Sequence, residues 1–411
     1  MSFQQGLSGL NAASKSLEVI GNNVANANTV GFKQSQAQFA DVFASSLTGS
    51  GSSQIGIGTQ VAKVQQQFTQ GNVTNSNNPL DIAINGGGFF RLSDNGTTTY
   101  TRNGQFQLDK QGFIVNAQGK NLTGYTMVNG VLSTGSTANL QISTANLAPQ
   151  STTAVGGLFN LDSRGTALVS ANFDPTDPTT YHHSTSINIY DSLGNSHILQ
   201  NFFVKTDAGA WDVYTTADGN PITYTPPSAP VATASMVFNG SGLGPTVTPA
   251  VPTVSIPVDT GATTPFNITL DFSQSTQHGS NFSVNSLSQD GYTSGRLSGF
   301  NFSSDGTIVG RYTNGQSATL GQVVLANFTN PNGLQSLGNN AWAETADSGP
   351  SLVGMPNTGN LGVLQSSAVE DSNVDLTAEL VNMITAQRIY QANAQTIKTQ
   401  DQVLQTLVNL K

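Results

Sequence analysis

The chain contains no cysteine, which excludes disulfides, cysteine-ligated metal sites and thiol catalysis. Histidine is scarce, with four among 411 residues, so few side chains are available for metal binding or acid–base chemistry. Charged residues make up only 9% of the chain, against about 25% in typical globular proteins. Because the net charge is −9 and no basic patch occurs, no binding to nucleic acid or to an anionic membrane surface is expected.

Long apolar runs are also missing. No stretch of about 18 apolar residues occurs, so no membrane insertion is predicted. The amino terminus, MSFQQGLSGL, lacks a basic segment followed by an apolar one and does not resemble a cleavable secretory signal. If the protein is extracellular, we expect it to leave the cell without such a signal. The 43 glycines and many small polar residues suit a surface that packs against copies of itself.

Apolar residues recur every seven positions at both ends of the chain. Near the amino terminus, and again from Asn373 onward, this pattern predicts an amphipathic helix with a coiled-coil-like period. Neither helix is expected to be stable in water without burying its stripe, so we predict pairing with each other or with other subunits. The predicted subunit-interface residues are Phe3, Leu7, Leu10, Leu17, Ile20, Val24, Leu376, Leu380, Met383, Tyr390, Ile397, Leu404 and Val408.

The second helix has a start signal. Ser372 with Asp375 resembles a capping box, in which two side chains satisfy the free N–H groups of the first turn. Long helices at both extremes of the chain suggest that the ends meet and that the middle is a looped-out insertion. The alternative is that both are ordinary surface helices on one globular domain.

Between the ends the apolar pattern changes to the period of two that is typical of strands. Turn signals at Asn95-Gly96, Asn103-Gly104, Gln111-Gly112 and Gln118-Gly119 indicate a β-meander. A similar pattern returns at 296–328, with another β-rich block between the two.

These patterns predict a multidomain α+β protein. Terminal α-helices form a coiled-coil-like core domain, and two mostly antiparallel β domains are inserted between them. The predicted divisions are a helical core at 1–30 with 370–411, a connector at 31–70 with 355–369, an inner β domain at 71–146 with 285–354, and an outer β domain at 147–284.

No motif for nucleotide binding, hydrolysis or metalloprotease chemistry occurs. The glycine-rich stretch NGGGFF (85–90) lacks a following helix and a Lys-Ser/Thr pair, so a β-bulge or tight turn is expected. His182 and His183 are adjacent and would point to opposite faces of a strand, which makes a poor chelate with His197. We therefore expect no enzyme activity, no cofactor and no bound metal.

Several segments resemble bacterial flagellar axial proteins of the rod and hook. NNVANANTVGFK resembles their amino-terminal signature, and SNVDLTAELVNMITAQRIYQANAQTIKTQDQVLQTLVNLK resembles their carboxyl-terminal segment. NNPLDIAINGGGFF and YTRNGQFQLDKQGFIVNAQGKNLTGY resemble the inner β domain of hook and distal-rod subunits, and the likeness extends through LGQVVLANFTNPNGL. The resemblance covers residues 1–145 and 285–411, whereas no quoted motif covers the middle.

The inserted middle block and the length of 411 residues indicate the hook branch of the family that the chain resembles, because in that family the distal rod subunit has the same ends around a much shorter middle. The resemblance implies a structural subunit that assembles into a curved, flexible tube, a universal joint that transmits motor torque from rod to filament. It also implies an extracellular location in the flagellar hook and export through the flagellar type III apparatus. Implied partners are further copies of the chain, the distal rod protein, and the hook cap and hook–filament junction proteins.

Other interpretations stay open at this point. The chain could be a distal rod or other axial subunit, or a secreted β-rich adhesin, although an adhesin needs no heptads at both ends. A secreted glycan-active enzyme would need a carboxylate pair in a groove, and the sequence offers no such pair.

An asparagine-rich connector motif follows the first predicted helix. Asparagine is a poor helix former whose side chain bonds to nearby backbone, so this cluster is expected to end the helix, cap it and tolerate left-handed backbone. Gly31 would give further backbone freedom and Phe32 would anchor the turn; a plain surface loop is the alternative. In a free subunit the connectors are expected to hold the helices away from the β domains. The motif comprises Asn22, Asn23, Asn26, Asn28, Gly31 and Phe32.

Overall fold

The structure is a computed structural model that describes residues 2–42, 56–128, 130–223 and 228–409. Parts of the predicted domains lie outside the described residues. They include 43–55 of the connector, 224–227 of the outer domain, and residue 1 with 410–411 of the core. The described chain is mostly β-strand between two terminal α-helices, which confirms the sequence prediction at that level.

The chain opens with helix α1, and short strands follow it. The elements up to residue 144 are α1 Ser2–Ala25, β1 Ser35–Val42, β2 Gly58–Gln66, β3 Val73–Asn75, β4 Ile82–Asn85, β5 Phe89–Asp94, β6 Thr97–Thr101, β7 Phe106–Leu108, β8 Ile114–Asn116, β9 Asn121–Val128, β10 Val131–Leu132 and β11 Ala138–Asn139.

The middle of the chain is also built from strands, with one short 3-10 helix at Ser170–Asn172. Its strands are β12 Ala154–Asp162, β13 His183–Tyr190, β14 Ser196–Asp207, β15 Ala210–Ala217, β16 Asn220–Pro221, β17 Ala234–Val237, β18 Thr246–Thr248, β19 Thr253–Ile256, β20 Phe266–Asp271, β21 Thr276–His278 and β22 Ser283–Gln289.

The last part of the chain returns through strands to a long helix, with a 3-10 helix at Pro331–Gly333. Its elements are β23 Leu297–Phe302, β24 Thr307–Tyr312, β25 Ser317–Val323, β26 Leu325–Asn327, β27 Gln335–Gly338, β28 Ala341–Ala343, β29 Leu352–Gly354, β30 Val363–Ser366, β31 Ala368–Glu370 and α2 Leu376–Asn409.

The chain divides into two compact units. The helix-bearing unit comprises Met1–Thr144, Gly299–Arg311 and Ser317–Lys411, and the middle unit comprises Ala145–Ser298 and Tyr312–Gln316. Both terminal helices thus share a unit with the strands that flank the middle block. The finer division of this unit into core, connector and inner β domain stays a prediction.

The helix-bearing unit is held together by pairing between distant parts of the sequence. Its largest sheet contains the strand order β24-β25-β9-β5-β6-β28-β27. Two further antiparallel pairs, β3 with β31 and β4 with β30, join the segment after α1 to the segment before α2. Edge-to-face rings of Phe89, Phe328 and Trp342 fill the core beneath the large sheet.

The middle unit has its own core between two sheets. One sheet is antiparallel with the order β13-β14-β15-β17-β18, and the other has the order β19-β20-β12-β21 with β22 also paired to β12. Strand β20 alternates buried and exposed residues, as expected when one face of a sheet covers a core. Phe159, Phe203 and Trp211 are fully buried in this core, which draws on both sheets.

The predicted turns have mixed outcomes. Asn95-Gly96 joins β5 to β6 with positive φ at both residues, 48° and 94°, as a tight hairpin turn requires. The predicted hairpin at Asn103-Gly104 is wrong, because β7 pairs with β8 rather than with β6. Glycine is needed there for a different reason: a Cβ at Gly104 would lie 1.6 Å from the carbonyl oxygen of Ile82.

Candidate subunit interface

The two terminal helices pack against each other in antiparallel directions. A Cβ at Gly6 would lie 3.1 Å from Ile397, and one at Gly9 would lie 2.8 Å from Asn393, so the two glycines let the helix axes approach closely. Ala13 of α1 and Ala386 of α2 are buried at 6% exposure each. The sequence prediction that the chain ends meet therefore agrees with the position of these helices.

Helix α1 also packs along the β1–β2 hairpin. The side-chain amide of Gln5 donates to the carbonyl of Gly56 at 2.6 Å, and the N–H of Thr59 donates to Ser8 Oγ at 3.3 Å. Because β1 and β2 lie within the predicted connector at 31–70, the connector itself covers part of α1, and the expectation that the connectors hold the helices away from the β domains stays a prediction. Small residues allow this approach, since a Cβ at Gly58 would lie 2.2 Å from Ser8 Oγ.

Helix α2 is covered far less than α1. Among its described side chains only Glu379 and Ala386 are buried. Of the predicted interface residues, Ile20 is buried, whereas Leu10, Leu17, Val24, Met383 and Ile397 are half-buried. The exposed ones are Phe3, Leu7, Leu376, Leu380, Tyr390, Leu404 and Val408.

Four exposed apolar residues of α2 were not among those predicted from the heptads. They are Val381, Ile384, Ile389 and Val403. Ile384 follows Leu380 by four positions, so these two lie on one face of the helix and extend its apolar surface. The prediction followed the seven-residue repeat and positions four beyond it, and it omitted Ile384 because that residue belongs to neither line. A scan at spacings of three and four would have found it.

The start of α2 is capped by Asp375 rather than by Ser372. Asp375 Oδ1 accepts the N–H groups of Thr377 at 2.9 Å and Ala378 at 3.1 Å. Ser372 Oγ instead accepts the N–H of Val374, ahead of the helix. The predicted capping box is wrong in this detail, because the helix begins three residues later than Asn373.

The asparagine cluster ends α1 through long-range as well as local bonds. Helix α1 ends at Ala25, inside the cluster, and Asn26 Nδ2 donates back to the carbonyl of Asn22 at 2.9 Å. Asn23 is buried and makes two bonds with the backbone of Ser35, the first residue of β1. None of Asn22, Asn23, Asn26 and Asn28 has a positive φ, so the expectation of left-handed asparagine is wrong.

Gly31 and Phe32 occupy the turn after the cluster. Gly31 has a φ of 71°, and a Cβ there would lie 2.6 Å from the backbone nitrogen of Asn103. Its N–H donates to the carbonyl of Glu370 at 2.8 Å. Phe32 is buried at 8% exposure, and its role as an anchor of the turn stays a prediction. A plain surface loop does not describe this segment.

A buried ionic junction lies beside this turn. Lys33 Nζ is 2.7 Å from Glu370 Oε1, and Arg102 Nη1 is 3.1 Å from Glu370 Oε2. Glu370 Oε1 also accepts the N–H of Gly71, and Lys33 donates to the carbonyl of Thr69. Burial lowers the pKa of Lys33, and the neighbouring carboxylate only partly offsets this effect. One carboxylate thus joins the segment after α1, the segment after β2, and the residue that follows β6.

Asn373 makes a second link just before α2. Its Oδ1 accepts the N–H of Gln34 at 2.7 Å, while its Nδ2 donates to Gln67 and Thr69. Gln34 in turn donates from Nε2 to Glu379 Oε1 at 2.5 Å. The bases of the two helices are therefore joined to the two ends of the hairpin by buried and half-buried polar groups.

A groove of about 430 Å³ opens between α1, the start of β1 and the first half of α2. We call it the helix groove. Its lining is mixed: Glu379 and several neutral polar residues lie beside the apolar Val19, Ile20, Ala37, Ala386 and Ile389, and the neutral polar ones are Ser16, Asn23, Gln34, Ser35, Gln36, Asn382 and Thr385. Glu379 is only 3% exposed, and its Oε2 has no hydrogen-bond partner among the described residues.

The histidines of the middle unit make local contacts. His182 Nε2 lies 2.8 Å from the carbonyl of Thr166, His183 stacks on Phe282, and His197 Nδ1 lies 2.7 Å from Asp218 Oδ2. Within the part of the chain that the structure describes, no cluster of three or more histidine, aspartate or glutamate residues is placed to hold a metal ion. In the same ranges, no helix combines the length and apolarity needed to cross a membrane.

Four family models match the chain in succession. They are described as "Flagella basal body rod protein" for residues 3–33, "Flagellar hook protein FlgE/F/G D1 domain" for 83–155, "Flagellar basal body protein FlaE D2 domain" for 160–292, and "Flagellar basal body rod FlgEFG protein C-terminal" for 365–410. The middle block, for which no motif was quoted above, is thus covered as well.

Relatives match along the whole chain. The flagellar hook protein FlgE of Salmonella typhimurium is 44% identical, with all of both chains covered. That of Escherichia coli is 43% identical with the same coverage, and that of Rhizobium meliloti is 34% identical over all of this chain and 98% of its own length. The crystal structure of Helicobacter pylori flagellar hook protein FlgE2 is similar with a TM-score of 0.54 and 14% identity, covering 72% of this chain and 100% of that one. At that identity the likeness concerns the fold alone.

Proposed function

Because the chain belongs to the flagellar hook protein FlgE family and is a structural subunit of the bacterial flagellar hook, we propose that it polymerises through its terminal helices into a curved, flexible tube. In this proposal the tube is a universal joint that transmits torque from the rod to the filament. The family is one of structural proteins rather than of enzymes. We propose that this chain likewise has no catalytic activity, cofactor or resident metal.

One observation carries the proposal: α2 exposes a continuous apolar surface in a single copy. Leu376, Leu380 and Ile384 are 46%, 45% and 53% exposed and lie on one side of the helix. Contiguous exposed apolar surface on a protein marks an interaction site, and burying one such side chain stabilises by about 1.5–3 kcal/mol. A neighbouring copy that covers this side would supply the driving force for assembly.

The finer organisation is part of the proposal. We infer that 1–30 with 370–411 form the coiled-coil-like core of the tube, with the predicted interface residues and Ile384 at contacts between copies. The connector at 31–70 with 355–369 would link this core to an inner β domain at 71–146 with 285–354. An outer β domain at 147–284 would tune the shape of the tube more than its existence, since the helices make the principal axial contacts.

Location and partners follow from the same role. We propose that the subunit is exported by the flagellar type III apparatus without a cleavable signal and resides outside the cell. There it would contact the distal rod protein at one end of the hook, and the hook cap and then the hook–filament junction proteins at the other. The full-length match to hook proteins favours this role over those of a distal rod subunit or an adhesin.

Assembly of the purified chain in a kosmotropic salt, which strengthens apolar association, tests the proposal. Electron microscopy of the wild type is expected to reveal short curved tubes. Leu380→Asp should prevent their formation, whereas Val169→Asp, at a 65% exposed apolar residue of the middle unit, should not. Tubes of normal yield from Leu380→Asp, with the variant folded, would refute assembly through α2.

A further inference from the structure

The helix groove contains an unsatisfied acidic group. Glu379 Oε1 accepts a hydrogen bond from Gln34, but Oε2 has no partner among the described residues, and the side chain is almost fully buried. A buried carboxylate oxygen without a donor is costly, because it has lost water and gained nothing in return. The single copy therefore lacks a donor that this position favours.

The shape of the helix groove limits what that donor can be. Part of its lining is apolar, from Val19, Ile20, Ala386 and Ile389, and the rest is polar, so a side chain with an aliphatic stem and a polar head suits it. At its end the ligand must present N–H donors and a positive charge to the carboxylate. An arginine side chain combines a stem of this kind with a planar set of donors that matches a carboxylate.

Helix α2 itself carries two cations, Arg388 and Lys398, both exposed. Neither has a hydrogen-bond acceptor or ion-pair partner among the residues the structure describes. Arg388 follows Leu380 and Ile384 at intervals of four, so it continues the exposed apolar side of the helix. Lys398 follows ten residues later, in a stretch rich in glutamine.

The carboxylate and the arginine lie on different sides of α2. Glu379, Asn382 and Ala386 are spaced by three and four and face the helix groove. Arg388 shares the spacing of Leu380 and Ile384, which places it on the other side. One copy can therefore offer its arginine to a second copy while its own groove receives the arginine of a third.

We propose that Arg388 of one copy enters the helix groove of the next copy and pairs with Glu379. The inference rests on the proposed function, assembly through the terminal helices, and specifies one contact that directs it. Because two different surfaces of the same chain meet, the contact is heterologous and repeats from copy to copy. A contact of this kind generates an open helical polymer when the rotation between copies does not close a ring, as the proposed tube requires.

Charge exchange between full-length variants tests this pairing. Glu379→Arg alone and Arg388→Glu alone each place like charges together, and each is expected to raise the critical concentration for assembly about tenfold or more in a sedimentation assay. A 1:1 mixture of the two variants makes every contact complementary and should assemble within about twofold of wild type. Lys398→Glu is the matched control and should assemble as wild type does.

The mixture shows whether the two charges pair between different copies of the chain. If both single variants fail and the mixture fails too, the two charges do not pair between copies and the inference is wrong. If both single variants assemble as wild type does while Leu380→Asp blocks assembly, the pairing is wrong but the proposed function stands. If Leu380→Asp has no effect, the proposed function itself fails.

A milder set of variants covers the case in which an arginine at position 379 disturbs the fold. Far-ultraviolet circular dichroism first establishes that each variant retains its helices. Glu379→Gln, Arg388→Gln and the double variant then form a double-mutant cycle. If the two side chains pair, the double variant should have a critical concentration no higher than that of the worse single variant. Additive losses would overturn the inference.

Discussion

Lys33 Nζ lies 2.7 Å from Glu370 Oε1, although 337 residues separate them in the sequence. Both side chains are completely buried, and Arg102 shares the same carboxylate. The pair therefore fixes the segment after α1 to the segment before α2. Around it the backbone of Gly31 and Gly71 bonds to Glu370 as well. In this way the two ends of the chain form one base from which the terminal helices extend.

Glu370→Gln tests how much the helix-bearing unit depends on this junction. The substitution leaves Lys33 and Arg102 buried without their counter-charge, so we expect a loss of about 3–5 kcal/mol in the free energy of unfolding. Urea unfolding followed by circular dichroism measures it. The matched control is Glu18→Gln, which breaks the exposed Lys15–Glu18 pair and should leave the midpoint unchanged. Equal effects of the two substitutions would refute the role of the junction.

Lys33→Met tests how the contribution of Lys33 to stability changes with pH. Burial lowers the pKa of Lys33 below its ordinary value of 10.5, so over the interval between the folded pKa and 10.5 the unfolded chain holds more protons than the folded chain. The contribution of Lys33 to stability therefore rises as pH rises through that interval. We expect the free energy of unfolding of the wild type, minus that of Lys33→Met, to increase as pH approaches 10.5. A decrease in this difference with rising pH would contradict the expectation.

The sequence was informative where the cause is local. Regular apolar spacing predicted two terminal helices, and Asn95-Gly96 predicted a hairpin turn, because both depend on neighbouring residues. The junction of Lys33 with Glu370 was not predictable, since nothing local indicates which distant charge a lysine meets. Asn23 was assigned a local role for the same reason, whereas its partner is Ser35 in the next strand. In the candidate interface, Ile384 was missed because it lies neither on the seven-residue repeat nor at the positions four beyond it.

The two units should unfold separately, because each has its own apolar core. The chain has two tryptophans, Trp211 in the middle unit and Trp342 in the helix-bearing unit, and both are buried. Trp342→Phe and Trp211→Phe therefore leave one reporter in each unit. We expect their fluorescence transitions in urea to have different midpoints. Coincident transitions that match the far-ultraviolet signal would mean that the units unfold as one.

Asp191→Asn should weaken the middle unit mainly near neutral pH. Burial raises the pKa of Asp191, but hydrogen bonds from Thr260, Asn195 and Leu193 outweigh burial and hold it well below its ordinary value of 3.8. The stabilisation is therefore fully present above pH 3.8 and is lost as pH falls through the folded pKa.

The Trp342→Phe background isolates this effect, because its remaining tryptophan reports on the middle unit. We expect Asp191→Asn to lower the urea midpoint at pH 7 and to lose stability less steeply than its parent as the solution is acidified below pH 4. Asp259→Asn, in the same unit, provides the comparison. If the variant and its parent lose stability equally steeply below pH 4, Asp191 contributes no stabilisation of this kind.

The central claim is that assembly covers the exposed side of α2. Amide hydrogen exchange, measured on the free subunit and on the polymer, tests it most directly. In the free subunit we expect residues 376–408 to exchange much faster than the strands around Trp342, because few side chains of α2 are buried and helices gain most of their stability from packing. In the polymer the same amides should exchange at least about tenfold more slowly, as the covered side gains about 1.5–3 kcal/mol per large apolar residue. Equal protection of α2 in both states would contradict the account, because the helix would then already be fully packed within one copy.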